Sequence, residues 1–195
     1  MYTLIGTVKS RAIRPLWLLE ELGVDFEHIA ANPHTEQVTA VSPSGKIPVL
    51  IAEGRAIADS TAILTFLADR HGSFTFPAGT LERAEQDSLT HRVLDELDSV
   101  LWTAARHSFI LPEEMRVPAI KEPLKIEFAA SLARLSERLG DGPFLMGETM
   151  TIADIIAVHC GSWAVTAKFP LEDRRFRDYM DRLRDRPAFQ RATAR

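Results

Sequence analysis

The chain has 195 residues, and its 46% hydrophobic and 26% charged content is typical of a globular protein rather than a largely disordered chain. The 23 Lys and Arg against 27 Asp and Glu give a net charge of −4, so no basic excess indicates a nucleic-acid partner. The single cysteine, Cys160, permits no internal disulfide and no CxxC pair, and no apolar stretch approaches the roughly 18 residues of a membrane span.

The first third of the chain, up to Gly72, alternates strand and helix signals. Gly23 stops the first predicted helix, and Glu53-Gly54 marks a hairpin. In chain order the predicted elements are a strand over 2–5, a helix over 14–22, a strand over 24–30, a possible short helix over 34–40, two hairpin strands over 49–52 and 55–58, and a helix over 59–72. This order predicts an α/β layer with both parallel and antiparallel strand pairs.

Strand signals end after this layer, and residues 74–80 form a plausible linker. The remaining predicted elements are helices over 81–109, 124–139, 151–168 and 176–183 and a short segment after Pro187. The first of them has an apolar stripe at helical spacing, which predicts its buried face: Leu89, Val93, Leu97, Val100 and Leu101. The connection after it is broken by prolines at positions 112, 118 and 123. We therefore expect two domains, an α/β domain over 1–74 and an all-helical domain over 80–195.

The most informative stretch is SGKIPVL, residues 44–50, in which a proline stands at the mouth of a strand. Proline cannot donate to a strand ladder, so Pro48 belongs at a sheet edge or in a special turn. If the Ile47–Pro48 bond were cis, the main chain of Ile47 would face outward and pair with an extended peptide. An ordinary strand-entry proline with a trans bond is the alternative.

Asp59-Ser60-Thr61 stands at the start of a predicted helix. Capping of the free N–H groups by the side chains of Asp59 and Ser60 is the default interpretation. The same helix start also suits a bound carboxylate, because free N–H groups and the helix dipole attract anions. With an acidic side chain beside it to hold an ammonium group, this site suits an α-amino-acid headgroup.

The loop over residues 6–12 connects the first strand to the first helix and carries Ser10 beside Arg11. A hydroxyl at a helix N-terminus next to a cation stabilises a bound thiolate, which lowers a thiol pKa from about 8.5 toward about 3.5–7.5. A simple helix cap by Ser10 is the alternative. With that cap Pro15 would fall in the second turn, so the helix is distorted at its start or begins nearer Arg14.

The other signals predict structure rather than chemistry. Thr151-Ile-Ala-Asp154 has the form of a capping box, and Cys160 is expected to be an inert buried thiol in the helix that follows. The six histidines show no ligand spacing, so we expect no metal. Arginine and aspartate alternate over residues 173–186, which predicts a solvated, ion-paired helix face.

The segments SRAIRPLWLLEELGVDFE, SGKIPVL and ADSTAILTFL together resemble the N-terminal domain of the cytosolic glutathione S-transferases of bacterial type. GPFLMGETMTIADIIA and DYMDRLRDRPAFQRA resemble the C-terminal helices of the same family. The resemblance extends over essentially the whole chain. It implies a thioredoxin-like α/β domain followed by an all-α helical domain.

The resemblance also implies roles for single residues in binding glutathione. Ile47, before the family's cis-proline at Pro48, would pair with the cysteinyl backbone. Asp59 and Ser60 would hold the γ-glutamyl headgroup. Lys46 would meet the glycyl carboxylate, with a merely solvated lysine as the alternative.

Ser10 best matches the family's thiol-activating residue, with Thr7 as the second candidate and Arg11 as an auxiliary cation. The pocket for the electrophile would be lined from the long helix and its successor, with four candidate residues: Trp102, Arg106, Phe109 and Met115. No redox pair is present in the chain, so the reactive sulfur must arrive with glutathione.

The function implied is a cytoplasmic, homodimeric glutathione transferase that detoxifies small apolar electrophiles, with no nucleic-acid or membrane partner. The chain begins on a strand-like run without a signal peptide, which agrees with that location. Two alternatives remain, a glutathione-dependent disulfide or peroxide reductase and a non-catalytic glutathione-binding module.

Overall fold

The computed structural model describes all 195 residues, which form two compact units. The first unit comprises residues 1–78 together with 184–195, and the second comprises residues 79–183. The expected domains, 1–74 and 80–195, differ from these units chiefly at the C-terminus. The last twelve residues, 184–195, pack with the first unit instead of the helical one, a long-range contact that local sequence signals do not carry.

The first unit contains a mixed four-stranded sheet, as the alternating signals predict. Its strands, in chain order, are β1 (Tyr2–Ile5), β2 (Phe26–Ile29), β3 (Val49–Ala52) and β4 (Arg55–Ala58). They lie in the order β2-β1-β3-β4, with β1 parallel to β2 and the other two pairs antiparallel. Leu4 pairs with Leu50 at the centre of the sheet, and both side chains are fully buried.

Four helices belong to this unit. They are α1 (Ile13–Leu22), α2 (Glu36–Thr39), α3 (Ser60–His71) and the last helix of the chain, α9 (Pro187–Thr193). Gly23 and Gly72 end α1 and α3 in the left-handed conformation, which glycine adopts without a Cβ clash. Pro15 lies in the first turn of α1, where its missing N–H removes no helical hydrogen bond. The helix therefore begins near Arg14, the second of the two alternatives.

The second unit begins with one helical run over residues 81–110. It consists of α4 (Leu81–Val93), a π-helical segment (Leu94–Asp98), α5 (Ser99–Ala105) and a second π-helical segment (Arg106–Ile110). All five residues of the predicted apolar stripe are buried. Two 3-10 turns follow, Glu113–Met115 and Pro118–Ile120.

Three further helices follow along the chain: α6 (Lys121–Leu139), α7 (Ile152–Ala167) and α8 (Arg174–Arg184). The prediction that Pro123 breaks the connection before α6 is wrong, because α6 starts at Lys121. Pro123 falls in its first turn, where a proline is tolerated. None of the helices combines the length and apolar character that crossing a bilayer requires.

The capping box at the start of α7 is confirmed. The Thr151 N–H donates to Asp154 Oδ2 at 2.8 Å, and both residues are fully buried. Ten residues of α7 are buried, so this helix is the centre of the second unit's core.

Candidate functional site

The loop after β1 and the Ile47–Pro48 turn lie against each other in the first unit. A Cβ added at Gly6 would come within 2.8 Å of the Ala12 Cβ and 3.3 Å of the Ile47 Cβ. Gly6 also has a φ of 149°, so only glycine permits this close approach. The approach brings the residues before α1 next to the turn that leads into β3.

Ser10 lies in a turn before α1 and does not cap it. Its Oγ donates to the Thr7 carbonyl at 2.7 Å and accepts from the Ala12 N–H at 3.1 Å. The N-cap position of α1 is Ala12, which has no capping side chain. The interpretation of Ser10 as a simple helix cap is therefore wrong. The Thr7 hydroxyl itself makes no hydrogen bond within the chain.

The Ile47–Pro48 peptide bond is cis. Neither the N–H nor the carbonyl of Ile47 takes part in the hydrogen bonds of the neighbouring turns or of β3. The side chain of Lys46 is exposed, and its main-chain N–H donates to Ser44 Oγ at 3.3 Å.

Asp59 caps α3. Its Oδ1 accepts from the N–H groups of Thr61 at 2.8 Å and Ala62 at 3.0 Å. Its φ of 75° lies on the left-handed side, which is rare for a residue with a Cβ and occurs mainly where the surroundings enforce it. With those two N–H groups occupied, the N–H of Ser60 is the backbone donor left at the start of α3, beside the hydroxyls of Ser60 and Thr61.

A buried arginine that the sequence analysis did not single out for the site stands behind Ser60. Arg14 is 1% exposed, and its Nη1 donates to Ser60 Oγ at 3.2 Å. A guanidinium only donates, so it occupies a lone pair of the hydroxyl and leaves the hydroxyl proton for another acceptor. The sequence signal for this contact was a cation within the apolar run of α1. The sequence did not indicate that its partner would be Ser60, which lies 46 residues further along the chain.

The structure thus brings together several of the predicted glutathione-binding positions. Gly6 and Ala12 link the loop of Thr7 and Ser10 to Ile47 and Pro48, and Arg14 links the start of α1 to Ser60. Arg11 lies half-buried in the same loop as Ser10.

The predicted electrophile-pocket residues belong to the second unit. Trp102 lies half-buried on α5, whereas Arg106 and Phe109 are exposed on the following π-helical segment. Met115, in a 3-10 turn, is 59% exposed. Two surface cavities of about 470 and 490 Å³ in this unit are lined by other residues.

Both halves of the chain match models of one protein family. Residues 10–70 match the glutathione S-transferase N-terminal domain, and residues 118–191 match the glutathione S-transferase C-terminal domain. The two matches do not overlap, and they follow each other in the order that the sequence resemblance implies.

Curated relatives agree with these matches. A glutathione S-transferase of Pseudomonas putida is 29% identical over 71% of this chain, which spans 63% of that relative's length. The glutathione S-transferase GstA of Escherichia coli is 26% identical over 89% of this chain and 88% of its own. The disulfide-bond oxidoreductase YfcG of Escherichia coli is 26% identical over 87% of this chain and 84% of its own.

Solved structures agree over the whole length. A glutathione transferase from Methylococcus capsulatus superposes with a TM-score of 0.89 at 25% identity, covering 100% of this chain and 98% of that one. A theta-class glutathione S-transferase from Xanthomonas axonopodis with glutathione bound has a TM-score of 0.80 at 25% identity, covering 100% and 97%.

Proposed function

We propose that this protein, which belongs to the glutathione S-transferase family, binds glutathione in its first unit and activates its thiol for bonding to a small apolar electrophile. The observation that carries the proposal is the start of α3. There a buried Ser60 hydroxyl, fixed from behind by Arg14, keeps its proton free beside a helix N-terminus. That arrangement suits the carboxylate of an amino-acid headgroup.

The γ-glutamyl end of glutathione would bind at Asp59 and Ser60. The Ser60 N–H and hydroxyl would donate to the carboxylate. Asp59 uses Oδ1 to cap α3, and neither α3 N–H binds its Oδ2, which would accept from the ammonium group. The main chain of Ile47 would pair with the cysteinyl residue, and Lys46 would meet the glycyl carboxylate.

The thiol would be activated by Ser10, assisted by the charge of Arg11. In the structure the Ser10 hydroxyl donates to the Thr7 carbonyl, so this activation would require the hydroxyl to turn toward the sulfur when glutathione binds. A hydrogen bond donated to the thiolate favours ionisation and raises its population at neutral pH. The thiolate forms the new sulfur–carbon bond, and the leaving group departs with the electron pair of the bond that breaks.

A disulfide reductase is the second candidate, because the relative YfcG is a disulfide-bond oxidoreductase. There the glutathione thiolate attacks a sulfur of the substrate, forms a mixed disulfide and releases the other sulfur as a thiolate. The thioredoxin-like unit contains no cysteine, so in both reactions the sulfur nucleophile comes from glutathione. A homodimer, a cytoplasmic location and a detoxifying role remain predictions from the family.

The test has two stages. Retention on immobilised glutathione is expected for the wild type, and failure to bind contradicts the whole proposal. Conjugation of an aromatic halide is then compared with reduction of a small disulfide, and the faster reaction identifies the activity.

Ser10→Ala is expected to raise the pKa of bound glutathione, followed by thiolate absorbance, toward about 8.5 and to slow conjugation. Thr7→Val tests the second hydroxyl in the same way, and Ser73→Ala, a hydroxyl after α3, is the matched control. An unchanged thiol pKa in Ser10→Ala contradicts the assignment of Ser10.

A further inference from the structure

The second unit contains a cluster of three metal-ligating side chains that the proposed function does not use. Asp98 is the last residue of the first π-helical segment, and His159 and Cys160 are consecutive in α7. One ligand atom from each of the three lies within 4.8 Å of the others. The thiol of Cys160 and Asp98 Oδ2 are 3.9 Å apart.

We propose that Asp98, His159 and Cys160 bind one divalent transition-metal ion of the zinc class. Zinc takes thiolate sulfur at about 2.3 Å, imidazole nitrogen at about 2.0–2.1 Å and carboxylate oxygen at about 2.0–2.2 Å. With tetrahedral angles these lengths put pairs of ligand atoms about 3.3–3.6 Å apart. The Cys160 thiol and Asp98 Oδ2 are already close to that separation. The other pairs of ligand atoms lie within 4.8 Å, so they must approach by at most about 1.5 Å, which is within the reach of side-chain rotation.

The cluster lies largely inside the fold, with one side open to solvent. Asp98 is 7% exposed and Cys160 is fully buried, and the Cys160 thiol donates to Asp98 Oδ2, so a bound ion would take the place of the thiol proton between them. His159 is only half-buried, which provides the route by which an ion enters. The π-helical segment that ends at Asp98 is the kind of helix irregularity that frequently occurs at functional sites.

The mixture of ligands defines the class of ion. A thiolate and an imidazole favour zinc, cobalt or nickel, whereas magnesium and calcium take oxygen ligands. Three protein ligands leave a fourth tetrahedral position for water or another ligand. The spacing of His159 and Cys160 gave no sign of such a site, because its third member is 62 residues away in the sequence.

The test is a titration of the reduced, chelator-treated full chain with Co²⁺. We expect one ion per chain, with a thiolate-to-cobalt charge-transfer band and the intense visible bands of tetrahedral Co²⁺, both abolished by Zn²⁺. Cys160→Ser removes the charge-transfer band, and His159→Gln and Asp98→Asn each weaken binding at least about tenfold. His91→Gln, a change of an exposed histidine on α4, leaves the titration unchanged.

Binding without a thiolate band, or with an affinity that His159→Gln leaves unchanged, overturns the proposal. Circular dichroism shows whether each variant is folded. If the buried Cys160→Ser does not fold, the half-buried His159→Gln decides. The titration contains no glutathione, so its outcome is independent of the proposed transferase activity.

Discussion

Arg14 is the residue on which the predicted headgroup site depends most. An arginine is charged at every ordinary pH, and removing it from water is unfavourable unless its N–H groups have acceptors. Ser60 Oγ is one of these acceptors, across the space between α1 and α3. The two helices are thereby held in the register that presents the Ser60 proton at the start of α3.

Ser60→Ala is expected to lower the free energy of unfolding by about 1–3 kcal/mol, because Arg14 loses a buried acceptor. Urea denaturation followed by circular dichroism measures this. Thr61→Ala removes the neighbouring hydroxyl, which has no partner in the structure, and serves as the matched control. Equal stabilities of the two variants would show that the Arg14–Ser60 hydrogen bond contributes nothing.

Elements with local signals at both ends could be predicted from the sequence. The hairpin signal Glu53-Gly54 predicted β3 and β4 with the bounds that the structure has. Asp59 and Gly72 likewise predicted the start and the end of α3. These signals act on the backbone of neighbouring residues, so they need no knowledge of the fold. The same is true of Thr151 at the start of α7.

Contacts between residues distant in the sequence could not be predicted in this way. The hydrogen bond from Arg14 to Ser60 and the approach of Asp98 to Cys160 depend on how helices pack. The role of Ser10 was open for a related reason. Its hydroxyl closes a turn with Thr7, and this turn follows from Pro15 moving the helix start to Ile13.

The buried carboxylate of Asp154 fixes the start of α7 through both oxygens. Oδ1 accepts from the Leu145 N–H at 2.8 Å and the Tyr179 hydroxyl at 2.7 Å. Oδ2 accepts from the Thr151 N–H at 2.8 Å and the Thr151 hydroxyl at 3.2 Å. One side chain therefore connects the helix start, the preceding loop and α8.

Asp154→Asn is expected to lower the free energy of unfolding by about 2–4 kcal/mol. In the asparagine an NH₂ group, which donates, takes the place of Oδ2. The N–H and the hydroxyl of Thr151, which both donate to Oδ2, then lose their buried acceptor. Tyr179→Phe is the matched comparison and is expected to cost about 1–2 kcal/mol, because it removes one hydrogen bond. Urea unfolding measures both changes. A smaller loss of stability in Asp154→Asn than in Tyr179→Phe would contradict the view that both oxygens of Asp154 fix the start of α7.

At the scale of the whole chain, its last residues complete its first unit. Phe189 on α9 packs edge-on against Trp17 of α1 with ring centroids 5.0 Å apart. Arg191 and Arg195 both pair with Glu20 near the end of α1. The sequence pattern predicted a solvated ion-paired face over 173–186, but Arg186 also reaches α1, where it pairs with Glu21.

The two ion pairs of Glu20 make this attachment dependent on pH. Partial burial raises the pKa of Glu20, but hydrogen bonds from Arg191 and Arg195 outweigh it and hold the pKa below the ordinary 4.5. A carboxyl group whose pKa is lower in the folded than in the unfolded chain stabilises the fold at pH values above its unfolded-state pKa. This contribution is lost as the pH falls through the folded-state pKa. Glu20→Gln should therefore lower the free energy of unfolding by about 1 kcal/mol at pH about 7, and the difference from wild type should shrink as the pH falls below 4.5 and through the folded-state pKa. Urea unfolding at several pH values across this range measures the difference. Glu137→Gln, a change of an exposed residue on α6, is the control. A difference that does not depend on pH would mean that the ion pairs of Glu20 do not hold the end of the chain.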